Sequence, residues 1–138
     1  MTTTENQKKP FPVAPLRIVY LNGSQEMAKA VDNSLVKSRK SLMSSLSFAN
    51  VIQGYVEPSY IANAHYYRYG TGEGKVVLED SVRGSDLFII GDVTNYSVTY
   101  KVCGRINHMS PDNYFQDLKR AISAASGQAH RITIILPF

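Results

Sequence analysis

Three short runs rich in apolar residues limit what this chain can fold into: Leu16 to Leu21, Leu87 to Ile90, and Ile132 to Leu136. Each is too short for an ordinary buried helix and too continuous for a strand with one wet face. Runs of this kind are strands covered on both sides, as in parallel sheets. Parallel strands need a long crossover between them, and the intervening segments read as helices. Asn22-Gly23 breaks the first run, and Ser24 stands where an N-cap belongs, with Gln25 and Glu26 in the first turn. Met27, Val31 and Leu35 follow at four-residue spacing, and Lys37, Arg39 and Lys40 gather at the expected far end, where cations suit the helix dipole.

Ser110 can cap a second helix, Pro111 suits its first position and Asp112 its first turn. Tyr114, Phe115, Leu118, Ala121, Ile122 and Ala125 make one apolar stripe, and Gly127 ends it. Between the helices, His65 to Tyr69 and Lys75 to Leu78 read as strands flanking Gly70-Thr71-Gly72-Glu73-Gly74, a segment too rich in glycine to be anything but a turn. That predicts a hairpin or flap. Residues 41–63 predict one short helix or an irregular excursion, and residues 91–109 a long loop with a small strand near Tyr96 to Val102. The whole is an α/β domain over residues 15–138, preceded by a flexible arm over 1–14. The abrupt close on Pro137-Phe138, directly after a buried strand, suggests a fragment of a longer protein.

Composition adds limits. The chain is 43% hydrophobic and 19% charged, enough apolar material for a core. The net charge of +4 favours anionic partners only weakly. The single cysteine, Cys103, excludes an internal disulfide and reads as a small core residue. No Cys/His spacing fits a zinc site, and His65, His108 and His130 lack acids at ligand spacing, so no metal is assigned to these residues. The polar, proline-broken start is not a signal peptide, and no apolar stretch is long enough to cross a bilayer. A cytoplasmic location is the expectation.

Glu79-Asp80-Ser81-Val82-Arg83-Gly84-Ser85-Asp86, followed by Leu87 to Ile90, closely resembles a hallmark of the ribose-phosphate pyrophosphokinases (PRPP synthetases), with Asp80 as one extra residue. Asp112-Asn113, the helix after it, and Arg131-Ile132-Thr133-Ile134-Ile135-Leu136-Pro137-Phe138 resemble a second family stretch without a gap. Asn22-Gly23-Ser24-Gln25 after the first strand is a third, weaker likeness. There are departures. Tyr69-Gly70-Thr71-Gly72-Glu73 keeps the aromatic, a glycine and the glutamate of the family's flap turn, but Thr71 stands where the family has an acid. The segments before the flap and after Ile90 are longer than typical, which marks a divergent branch.

The resemblance implies a three-layer α/β/α, phosphoribosyltransferase-like (Rossmann-type) domain with a hairpin flap. It implies the N-terminal half of a diphosphokinase that makes PRPP and AMP from ATP and ribose 5-phosphate, with Mg²⁺ as cofactor and a homo-oligomer as assembly. The family's catalytic basic loop, ribose-phosphate loop and metal ligands follow the strand that ends here at Phe138, so no catalytic residue is assigned within this chain and the chain alone is expected to be inactive. Tyr69, Thr71 and Glu73 would meet a nucleotide in a neighbouring subunit; a surface hairpin with a solvated glutamate is the plain alternative. Ser81, Arg83 and Asp86 would form a regulatory phosphate or interface region; the alternative is a tight turn with Arg83 in a local salt bridge. Ser24 with Gly23 is either a phosphate contact or an ordinary cap. Two other readings remain: a non-catalytic regulatory subunit of the same fold, and a small nucleic-acid-binding domain suggested by Tyr66-Tyr67-Arg68-Tyr69. No nucleic acid or membrane partner is expected on the main reading.

Overall fold

The structure, a computed structural model, describes residues 12–45 and 53–137. Most of the predicted arm and part of the 41–63 segment lie outside the described residues. In chain order the elements are β1 (Leu16–Tyr20), α1 (Gln25–Ser45), β2 (Ala64–Arg68), β3 (Gly74–Leu78), β4 (Asp86–Ile90), β5 (Thr99–Val102), β6 (Arg105–His108), α2 (Pro111–Ala125) and β7 (Arg131–Ile135). The three apolar runs become β1, β4 and β7, one parallel sheet in the order β1-β4-β7. In its register Ile18 faces Phe88 and Phe88 faces Thr133. Residues 60–62 run parallel along the outer side of β1, where Ile18 N–H donates to the Tyr60 carbonyl and Ala62 N–H to the Ile18 carbonyl, both at 2.8 Å.

Strand alternation divides the core between the two faces of the sheet. Leu16, Ile18 and Ile90 pack on one face with Ala28 of α1 and with Tyr60. Val19, Leu21, Leu87 and Ile89 pack on the other, under Leu118, Ala121 and Ala125 of α2 and Val76 of β3. The result is a mixed α/β domain with a helix on either side of a parallel sheet, as expected.

Four expectations are corrected. α1 continues past Lys40 to Ser45, so Lys37, Arg39 and Lys40 are not in its last turn. Its buried face is Ala28 and Asp32, while Met27 and Val31 are more than a third exposed, at 38% and 37%. The small Ala28 lets the helix approach the sheet closely. Asp32 is satisfied there, because its carboxylate accepts from Tyr60 N–H at 2.7 Å and Ser59 Oγ–H at 2.8 Å. Ser24 does not cap α1 with its side chain. Its buried hydroxyl accepts from Asp92 N–H at 2.8 Å and ties the start of α1 to the exit of β4. Finally, the predicted loop at 91–109 holds a whole antiparallel hairpin, β5–β6, in which Thr99 pairs with His108.

α2 forms as the sequence predicts. Ser110 caps it, with Oγ accepting from Asn113 N–H at 3.2 Å, and Pro111 opens the first turn. Phe115 departs from the predicted stripe. It is 53% exposed, with Lys119 Nζ 5.4 Å from its ring centre, whereas Asp117 is buried.

Candidate functional site

The β2–β3 hairpin is the predicted flap. Ala64 pairs with Leu78 and Arg68 with Gly74, and the chain reverses through Tyr69 to Glu73. Tyr69 N–H donates to the Glu73 carbonyl at 2.8 Å, and Gly72 N–H donates to the Tyr69 carbonyl at 2.9 Å. Gly72 has φ +90°, which any larger residue would resist. Tyr69, Thr71 and Glu73 all stand exposed on this turn. The structure thus brings the three predicted nucleotide residues onto one short, hydrogen-bonded tip.

Alternation splits the Tyr66-Tyr67-Arg68-Tyr69 run. Tyr66 and Arg68 turn toward the protein, and His65 and Tyr67 stack outside with ring centres 5.9 Å apart. The run therefore offers no continuous stacking surface. Tyr66 Oη donates to the Tyr20 carbonyl at 2.9 Å, which joins the flap to the end of β1. Arg68 reaches α2 and makes a two-pronged bond to Asp117, at 2.8 and 2.7 Å. Arg120 adds a third contact to the same carboxylate at 2.9 Å. The Asp117 side chain is only 2% exposed, so this cluster is the inner anchor of the flap.

The β5–β6 hairpin stands beside the flap. Its Tyr100 ring lies 5.3 Å from the Arg68 guanidinium carbon. At its tip, the Cys103 thiol donates to the Gly70 carbonyl at 2.9 Å. Cys103 is exposed and is not the small core residue expected. Asn95 and Val98, on the way into this hairpin, close over Gly23, where a Cβ would lie 2.9 Å from each. The loop after β1 is therefore packed against protein. Tyr114 Oη completes that packing with a 2.7 Å bond to the Asn95 carbonyl. Burial and the nearby negative charges of Asp92 and Asp117 push the Tyr114 phenol up to about 12. Burial raises Tyr66 as well, assisted by Asp117.

Ser81, Arg83 and Asp86 occupy the approach to β4. Buried Val82 pins that turn, and Gly84 N–H donates to the Gln128 carbonyl at 2.8 Å. Ser81 Oγ accepts from Arg83 N–H at 3.4 Å, and the side chains of both residues face outward. Asp86 is differently placed. Its carboxylate accepts from Arg131 Nε at 2.8 Å and from Arg131 Nη2, across the β4–β7 pair in which the two residues face each other. That hydrogen bond, and then the charge of Asp86, raise the Arg131 pKa. The ion pair of this turn is therefore Asp86–Arg131, and among the described residues Arg83 has no salt bridge.

Among the described residues, no group of three or more His, Cys, Asp or Glu side chains is placed to hold a metal ion, so no step through Mg²⁺ is derived from them. No described helix is long and apolar enough to cross a membrane.

Sequence reasoning missed the Arg68–Asp117–Arg120 anchor and the second hairpin. One signal was available. Asp117 lies on the stripe of Tyr114, Leu118 and Ala121, where an acid must find a buried partner.

A parallel sheet with a helix on each face and a hairpin flap pinned to one of the helices defines a mixed α/β domain. The model of one family, the N-terminal domain of ribose phosphate pyrophosphokinase, matches residues 16–138, and the chain belongs to that family. No curated protein and no solved structure matches it.

Proposed function

We propose that this chain is the N-terminal domain of a cytoplasmic ribose-phosphate diphosphokinase, which makes PRPP and AMP from ATP and ribose 5-phosphate. Its part in that reaction is to present a nucleotide-binding flap. The observation that carries the reading is the flap itself: Tyr69, Thr71 and Glu73 stand together on an exposed tip whose base is locked to α2 through buried Asp117. An aromatic face beside a hydroxyl and a carboxylate suits a purine, which needs stacking at its face and partners at its edge. A site held on a rigid base loses less entropy when a ligand arrives.

Transfer of the pyrophosphoryl group depends on positioning and on neutralising developing charge. By the family resemblance, the basic loop and the Mg²⁺ ligands for this follow β7. The 138 residues are therefore expected to bind nucleotide without converting it. The flap would serve a neighbouring copy in a homo-oligomer, and exposed Ser81 and Arg83 would meet a regulatory phosphate or a subunit contact.

Two measurements test the reading. Tyr69→Ala should weaken ATP binding about tenfold, the worth of one aromatic stack on a base. Unchanged affinity would remove the flap from the site. An assay of AMP release should find no turnover by this chain, and robust turnover would overturn the division of labour. Nucleotide binding by a parent polypeptide that makes no PRPP would point to a regulatory subunit of the same fold.

A further inference from the structure

The flap turn that carries Tyr69, Thr71 and Glu73 has little of its own to hold its shape. It contains Gly70 and Gly72, and a Cβ added at either would meet nothing within 4 Å. Its backbone closes through Tyr69 N–H on the Glu73 carbonyl and Gly72 N–H on the Tyr69 carbonyl. Glycine gives a chain more conformations to lose than any other residue, so a turn like this stays ordered best when something outside it takes hold. Among the described residues, one hydrogen bond reaches the turn from outside the flap: the Cys103 thiol donates to the Gly70 carbonyl at 2.9 Å.

The donor is held in place by its own hairpin. Cys103 and Gly104 form the two-residue turn between β5 and β6, with φ of 49° and 78°, as in a type I′ turn. Among the described residues, Cys103 is the only one besides glycines with positive φ. That backbone crowds the Cβ of an L residue, and the turn itself favours asparagine, aspartate or glycine. A cysteine gives such a turn nothing, whereas its thiol does meet the flap. The root of the hairpin is fixed as well. Met109 N–H donates to the Val98 carbonyl at 2.8 Å, and the buried Met109 side chain sets its sulfur 3.8 Å from Arg68 Nη2. The Tyr100 hydroxyl accepts from Asn113 Nδ2 at 3.3 Å, and its ring lies against the Arg68 guanidinium. The hairpin thus stands on the base of the flap and touches the tip of the flap.

We propose that the β5–β6 hairpin is a brace for the flap turn. Cys103 is its positioning residue: through the Gly70 carbonyl it holds Tyr69, Thr71 and Glu73 in the arrangement that a nucleotide base meets. Its action is on the turn, and not on the nucleotide. This rests on the flap reading above and adds the means by which the tip is preorganised. Ordering completed before a ligand arrives does not subtract from its affinity.

Hydrogen exchange and ATP titration of the 138-residue chain test the brace, with the variants Cys103→Gly, Cys103→Ser and Tyr69→Ala. Glycine suits the type I′ turn and removes only the thiol, so Cys103→Gly should leave the urea midpoint about where it was. The amides of Tyr69 and Gly72 should nevertheless exchange about threefold faster, the worth of one weak donor's hydrogen bond, and ATP affinity should fall by a similar factor. Cys103→Ser keeps a donor and should restore both. A cysteine that merely shapes its own turn predicts no change in exchange or affinity with glycine, and that result overturns the brace. Faster exchange in Cys103→Gly with ATP affinity unchanged, while Tyr69→Ala weakens binding, overturns the positioning role and leaves the flap reading standing. ATP affinity indifferent to Tyr69→Ala sinks the flap reading and the positioning role together, while exchange still decides whether the brace exists.

Discussion

At Gly74 an added Cβ would run into the Arg68 guanidinium and lie 2.6 Å from Arg120 Nη1. On a surface, the ends of long side chains would swing away at little cost. Here both guanidiniums are held on buried Asp117, so moving them breaks the anchor. Gly74→Ala should therefore destabilise the protein by about 1–3 kcal/mol, as overpacking does, and a urea denaturation midpoint will report it. A change within error would mean that the cluster is looser than its distances say. The sequence marks Gly74 only as one of three glycines in a turn. Its real constraint is the pair of guanidiniums gathered on Asp117, Arg68 from the facing strand and Arg120 from α2, forty-odd positions away, a meeting that no local pattern encodes. Cys103 is a similar case. A cysteine before a glycine does not carry the Asn-Gly signature of a type I′ turn, so the hairpin it closes is invisible to turn chemistry.

Each element was as legible as its burial was simple. β4 is covered on both faces and reads directly as an apolar run. β7 reads as one too, but it lies at the edge of the described sheet with Ile134 and Ile135 exposed, so the expectation of a buried strand is corrected there. α2 carries its own cap in Ser110 and Pro111. α1 was read partly on the wrong face, because its fully buried contacts are Ala28 and the polar Asp32. Of the predicted stripe, Leu35 packs half-buried on the core beside Val36, while Met27 and Val31 stay more exposed. The flap was legible as a hairpin, and its three tip residues do sit together, but its attachment was not. That attachment has a measurable consequence. Asp117 is almost fully buried, and Arg68, only 10% exposed, depends on it. Asp117→Ala leaves that guanidinium buried without its counter-charge, which typically costs about 3–5 kcal/mol. Hydrogen exchange should show the amides of β2 and β3 losing protection ahead of those of β1 and β4. Protection lost evenly across both pairs would place the anchor in the general core and not at the flap.

For the molecule as a whole, the parallel sheet is the fixed body, and the two hairpin regions are joined to it by phenols. Tyr66 holds the flap to the end of β1 through the Tyr20 carbonyl, and Tyr114 holds the approach to the second hairpin through the Asn95 carbonyl. Both are donors, so both must keep their protons for the joints to close. Burial raises both pKa values above the ordinary 10.0, Tyr114 to about 12. A group with a raised folded-state pKa stabilises the fold fully below its unfolded value and loses that stabilisation as pH climbs from there through the folded value. The urea midpoint should accordingly be insensitive to these two groups up to about pH 10 and fall between about pH 10 and 12. The double substitution Tyr66→Phe with Tyr114→Phe should start lower, by about 1–2 kcal/mol for two carbonyls left short of a donor, and then lose less stability over the same alkaline interval. Every other ionisable group is common to both proteins, so the difference between the two curves isolates the joints. Parallel curves would mean that the hairpins are held by Asp117 and by apolar packing alone, with the phenols as bystanders.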